Sequence, residues 1–113
     1  MNAAWTARLL VAQRLTAILL AFAVAIHLAT IIYAVRGGLN AGEILGRTRG
    51  NALFLALYSV FVIAASIHAP IGLRNIFREW ANWRGRSLDI AMLIVSLILL
   101  ALGLRAALAV YAA

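Results

Sequence analysis

Two histidines, a single proline and ten arginines hold most of the chemical capacity of this chain. There is no Cys, so the chain has no disulfide, thiolate or iron–sulfur ligand of its own, and redox chemistry must come from a bound group or a partner. His68 has the richest setting, the run Ser66-Ile-His-Ala-Pro-Ile-Gly-Leu-Arg-Asn-Ile-Phe-Arg-Glu-Trp80. A neutral imidazole nitrogen is a good axial ligand for haem iron. Gly72, four residues on, falls on the same helical face, where a missing side chain lets a flat macrocycle approach the backbone. Asn75 and Glu79 continue that face. Arg74 lies off it, but its long guanidinium arm can reach an acidic propionate. Pro70 removes a helix hydrogen bond and can bend the segment. The purely structural alternatives are a neutral His68 bonded to a carbonyl or another helix, Gly72 as a small packing residue, and Arg74, Arg78 and Glu79 as a solvated helix end.

His27 is a separate case. It lies 13 residues beyond Arg14, roughly 20 Å along a helix, whereas His68 lies roughly 9 Å before Arg74. The two histidines therefore differ in depth by about 10 Å in upright helices. Axial ligands of one iron must meet at one level, so the second ligand for a haem at His68 is expected from a partner subunit. Packing or a local hydrogen bond is the expected role of His27. Near the start of the first apolar block, Gln13, Arg14 and Thr16 offer donors to a quinone carbonyl or a propionate. The alternative for Arg14 is an orienting charge. Trp80 can donate through its indole N–H while its ring stays in the interface.

The elements that must carry these residues are apolar helices. Of 113 residues, 66% are hydrophobic and 12% charged, and the mean hydropathy is +1.04. That is too little charge to cover a soluble domain of this size, and the apolar residues come in long blocks, as they do when lipid is the solvent. Leu15 to Val35 and Ala52 to Leu73 contain no charge, and each is long enough to cross a core of roughly 30 Å. A third block runs from Leu88 to the C-terminus, with Asp89 at its start and Arg105 placed to snorkel toward the far interface. The expectation is an all-α membrane protein forming one domain over 1–113, with three spans at about 12–36, 51–77 and 88–111. The first block runs on past Ala21–Ala25 through His27 to Val35, longer than a signal-peptide core, so it is read as a span. The first loop, with Gly37, Gly38, Gly42, Gly46 and Gly50, is read as a flexible connection.

The net charge of +7 does not point to nucleic acid. Every basic residue is Arg, and the arginines flank the apolar blocks, where orienting charges belong. Arg8, Arg14, Arg74, Arg78, Arg84 and Arg86 mark the N-terminus and the second loop, against Arg36, Arg47 and Arg49 in the first loop. That balance predicts a cytoplasmic N-terminus. Trp5, Trp80 and Trp83 fall near the same interface.

These residues bring a family into view. The His-x-x-x-Gly-x-Arg pattern at His68, Gly72 and Arg74 resembles the second span of the cytochrome b-type anchor subunits of succinate dehydrogenase and fumarate reductase, complex II. The stretch Ile67-His-Ala-x-Ile-Gly72, followed by Glu79-Trp80, resembles the smaller hydrophobic anchor, where an acidic–Tyr pair stands in the equivalent place. Arg14-Leu-Thr-Ala-Ile-Leu is similar to the start of the first span in both anchors. The resemblance covers most of the chain in layout, and about two dozen residues carry it. It implies His68 as a haem b axial ligand, with Gly72, Arg74, Arg14 and Asn75 around the haem and Trp80, Arg14, Gln13 and Thr16 toward quinone. The chain departs from the larger anchor at Leu10 and Gln13, which stand at the Ser and His of its Ser-x-x-His-Arg motif, and at Asn75, which replaces a common second His.

The resemblance implies a membrane anchor of a bacterial inner-membrane complex. Its partners would be a flavoprotein, an iron–sulfur protein, a second membrane anchor and lipid, with haem b shared between anchors and quinone as substrate. The chain cannot oxidise succinate itself, since it has no dinucleotide fingerprint and no room for a flavin domain. The competing readings are a haem-free accessory or assembly subunit of a respiratory complex, and a small transporter component using His27 and Arg105.

Overall fold

The structure is a computed structural model that describes residues 3–38 and 40–113. It is all-helical among those residues: α1 Ala3–Arg36, α2 Ala41–Thr48, α3 Ala52–Trp80 and α4 Arg86–Ala112. α1, α3 and α4 are long and apolar enough to cross a bilayer, and α2 is a short helix in the first loop. α1 begins nine residues before the expected span. Ala3–Val11 is rich in Ala and Leu, and Arg8 is a good helix former, so the helix propagates past the point where hydropathy falls. At 34 residues α1 is about 51 Å long, matching the 50 Å long axis of the molecule.

The first loop is more ordered than its glycines suggest. Asn40 caps α2, its side-chain oxygen accepting from the Glu43 N–H at 2.8 Å, and Glu43 pairs with Arg47 one turn on at 3.5 Å. Asn51 caps α3 in the same way, accepting from the N–H groups of Leu53 and Phe54. Each cap satisfies amides that a helix start leaves without partners. The Gly50 N–H donates to the Tyr111 carbonyl at 2.8 Å, tying this loop to the far end of α4. At the opposite end, Asn82 takes a left-handed φ of 53° and closes α3. Trp83 turns back there, its ring edge-on to Phe77 at 5.5 Å.

α3 is the central helix. α1 packs on one side of it and α4 on another, and α1 and α4 have at most marginal contact. Few apolar side chains are buried, Leu88 fully and Ala34, Ala64, Met92 and Ala107 nearly so, beside the polar Thr48, Ser66 and Arg74. Large apolar side chains such as Leu15, Phe22 and Leu53 point outward, more than 60% exposed. That arrangement suits an integral, multi-pass membrane protein, whose exterior meets lipid tails.

Two of the features that dock α4 on α3 lie in its middle and outer parts. Pro70 has no N–H, so the carbonyl of Ser66, four residues earlier, loses its helical partner. Ser96 on α4 donates its hydroxyl to that carbonyl at 2.6 Å. Further along, Gly103 sits directly against Val62, and a Cβ there would overlap Val62 Cγ1. Small residues at such crossings allow close backbone approach in lipid. Gly103→Leu is expected to lower stability in detergent by roughly 1–3 kcal/mol, the usual cost of overpacking, as read by thermal unfolding. Val62→Ala should rescue Gly103→Ala; failure of that rescue would place the cost elsewhere than in this contact.

Candidate functional site

His68 meets Thr16 across the α1–α3 seam, with Nδ1 and Oγ1 3.3 Å apart. The Thr16 hydroxyl has one hydrogen, and its nearest acceptor is the Ala12 carbonyl at 2.7 Å. Thr16 Oγ1 therefore faces His68 with a lone pair. In the tautomer with its hydrogen on Nδ1, His68 donates to that lone pair and Nε2 keeps its own. Metal-ligating histidines are commonly held in this way, one ring nitrogen donating to an oxygen while the other keeps its lone pair for the ligand. α1 positions Thr16 because its side chain back-bonds within its own helix, which fixes the rotamer.

Gln13 lies one turn from Thr16 and packs on Gly72; a Cβ at Gly72 would come 3.4 Å from Gln13 Nε2. The open backbone expected for a macrocycle is thus covered by an amide of the same chain. Gln13 Oε1 is buried without a hydrogen-bond partner, an acceptor that calls for a donor in this seam. The structure therefore gathers His68, Thr16, Gln13 and Gly72 into one node. This node fits a haem in part. It supplies one imidazole and an orphan acceptor beside it, but not a closed pocket. Among the described residues no three His, Cys, Asp or Glu side chains cluster as ligands of a bare metal ion.

The other candidates stand apart from the node. Arg74 is buried, 8% exposed, and its Nε donates to Asp89 Oδ1 of α4 at 2.8 Å. It is a helix-docking residue, not a solvated end. Arg14 is exposed. Trp80 is 85% exposed and lies eight residues past Gly72, about 12 Å further along α3. Trp80 and Arg14 therefore do not meet as a pair on this chain. Asn75 and Glu79 line a shallow hollow with Arg78 and Arg84.

His27 lines a different crevice, walled by Phe54, Tyr58 and Phe61. Thr16 marks the level of His68 on α1, and His27 is eleven residues farther, about 16 Å. The two histidines are farther apart in depth than the sequence spacing alone suggests, and they cannot face one iron in one chain.

Asp89 and Ser96 are the functional residues that sequence reasoning missed. A signal existed for each. Arg74 is a cation at a helix end that needs an acid, and Pro70 leaves a carbonyl that needs a donor. The fold and these contacts define a class: a membrane protein with three helices long and apolar enough to span, and an imidazole set at the seam between two of them. Compared with protein-family models, curated proteins and solved structures, the chain matches none.

Nitrogen spectra of histidine-labelled protein in micelles test the His68 assignment. The expected result is a protonated Nδ1 and a lone-pair Nε2, with Thr16→Val giving a mixture of tautomers; an Nε2–H tautomer in the native chain would overturn it. The ion pair gives an asymmetric prediction. Asp89→Ala removes the carboxylate facing the buried Arg74 and should cost roughly 2 kcal/mol, less than for a fully buried pair because Asp89 is half exposed, whereas Arg74→Met leaves an Asp89 that is 44% exposed and should cost less. Unfolding in detergent reads both.

Proposed function

We propose that this chain is a membrane anchor subunit of a succinate:quinone oxidoreductase in a bacterial cytoplasmic membrane, with its N-terminus on the cytoplasmic side. In this reading a flavoprotein oxidises succinate and an iron–sulfur protein carries the electrons to quinone at the membrane. A second anchor completes the site. The observation that carries the reading is the Thr16–His68 contact. An ionisable side chain within a span is costly, and this one has a hydroxyl partner at Nδ1 that leaves Nε2 available in the Nδ1–H tautomer. The residue pattern at His68, Gly72 and Arg74, and the run from Arg14 to Leu19, supply the family resemblance.

In this reading the chain's own residues divide the work. His68 would hold the haem iron through one ring nitrogen. Thr16 holds its ring and tautomer. Gln13 adds an acceptor at the same seam. Arg74 fixes α4 against α3 through Asp89, so its charge serves the scaffold in which the site is set. Arg14 and Trp80, exposed on different levels, are available to quinone or to a neighbouring subunit. A bound haem b would supply a one-electron relay in this low-dielectric setting, its second ligand coming from the partner anchor because His27 lies at the wrong depth.

A reduced-minus-oxidised optical spectrum of the complex extracted in mild detergent tests the reading. A b-type haem signal is expected, lost in His68→Ala and kept in His27→Ala. A signal indifferent to His68→Ala removes the ligand assignment. Flavin- and iron–sulfur-bearing chains are expected to travel with this one, and extraction without them removes the anchor role.

A further inference from the structure

A recess of about 590 Å³ lies between α1 and α4 with α3 at its base. Trp5 and Leu9 form one lip, Met92 and Leu93 the other. His68, Thr16 and Gln13 are not among its walls. Arg74 and Asp89 stand at the outer end, and Ser66 and Ser96 at the inner end. Arg74 and Ser66 are about 12 Å apart along α3. The two ends belong to different layers of a membrane. Ala52 to Leu73 and Ile90 to Leu104 carry no charge, and Arg74 and Asp89 are the first charges beyond those runs. The pair therefore marks the depth at which hydrocarbon gives way to head groups. From there the recess descends into the apolar layer, so an occupant that fills it has a polar head and an apolar body.

The inner end asks for no polar partner. The Ser96 hydroxyl donates to the Ser66 carbonyl at 2.6 Å, and the Ser66 hydroxyl donates to the Ile63 carbonyl at 2.8 Å. A hydroxyl has one hydrogen, so both hydrogens are spent inside the protein. Between the two ends the walls are Leu9, Ile67, Pro70, Ile71, Met92 and Leu93. A hydrocarbon chain lies against these groups without stripping a donor of its partner. The outer end is different. Arg74 Nε donates to Asp89 Oδ1 at 2.8 Å, yet the Asp89 side chain stays 44% exposed. A carboxylate has lone pairs for several donors, so Asp89 has capacity for another. The pair is neutral as a whole, with a cation and an anion side by side. An anionic head group would meet Asp89 as a like charge, and a cationic one would meet Arg74 so. A zwitterion with adjacent charges complements both. An ethanolamine phospholipid has that form: a phosphate to face the guanidinium, and a primary ammonium whose N–H groups suit the carboxylate. A choline head group carries the same charges but no N–H.

We propose that this recess seats a phosphatidylethanolamine molecule, its head group on the Arg74–Asp89 pair and an acyl chain along α3 as far as Ser66 and Ser96. The seat stands on the recess alone, and its loss would leave the anchor reading untouched. The test uses the full chain with Trp80→Phe and Trp83→Phe, which leave Trp5 as the single tryptophan of the three in the chain. The protein is reconstituted in phosphatidylcholine vesicles, and lipids dibrominated on an acyl chain, which quench tryptophan on contact, replace part of the bilayer. Brominated phosphatidylethanolamine is expected to half-quench Trp5 at about a third of the mole fraction that brominated phosphatidylcholine needs, a preference of the size a partly exposed charge pair gives. Stepwise N-methylation of the head group removes its N–H donors and should erase the preference in step, with the protein unchanged. Asp89→Asn should erase it too, with thermal unfolding showing that the variant is folded. Equal quenching by ethanolamine and choline lipids, strongest quenching by anionic phosphatidylglycerol, or a preference that survives full N-methylation or Asp89→Asn would each overturn the proposal. So would a Trp5 that no lipid quenches, the result expected if the helix of a second copy fills the recess.

Discussion

In lipid, a backbone carbonyl without a partner has no water to turn to, and its exposure costs several kcal/mol. Pro70 creates one such carbonyl at Ser66, in the middle of the central helix, and Ser96 answers it from α4. Much of the molecule is arranged around that requirement. The hydrogen bond fixes the register of α4 on α3. With the register set, Gly103 lies against Val62 and Asp89 lies within 2.8 Å of Arg74. An interhelical hydrogen bond of this kind is worth about 0.6 kcal/mol on average. It acts here together with an ion pair at one end of the seam and close packing at the other, so its geometric effect exceeds its own energy.

α1 is held differently. It packs chiefly on α3, with Tyr33 also lying under the Arg47 guanidinium of α2. Its polar contact with α3 is Thr16 to His68. The contact that orients the imidazole is therefore also the contact that places α1, and the two effects cannot be separated by deleting either side chain alone. Replacing Thr16 loosens the helix as well as the ring. For this reason a ring-nitrogen readout says more about the site than stability does.

Most of the fold was legible in the sequence because lipid imposes long apolar blocks, and the three helices coincide with those blocks. The N-terminal extension of α1 was not legible from hydropathy, since Arg8 breaks the apolar run without breaking the helix. The first loop also holds a short helix that its glycines hide. Its glycines suggested flexibility, while Asn40 and Glu43 already carried the spacing of a helix cap. At the site, His68 and Gly72 were identifiable by spacing, but their neighbours were not. Nothing in one sequence says that Gln13 packs over Gly72 or that Arg74 turns toward Asp89. Those facts depend on how antiparallel helices register, which hydrophobic patterning leaves open when every face is apolar.

The same uniformity bears on whether the chain is a complete unit. A helix that is apolar all round does not specify which face meets lipid and which meets protein. α1 leaves most of its surface exposed, α4 leaves its outer face exposed, and the recess between them is walled on only some sides. The one oriented imidazole has no counterpart at its own level, because His27 is about 16 Å away along α1. An acceptor in the same seam, Gln13 Oε1, is buried without a donor. Each is half of an interaction, and all lie on or beside α1, the helix with the least support. Under the anchor reading proposed above, the remaining ligand, the remaining donor and the other side of α1 would belong to a neighbouring chain, which ties the site chemistry to the packing of a single helix.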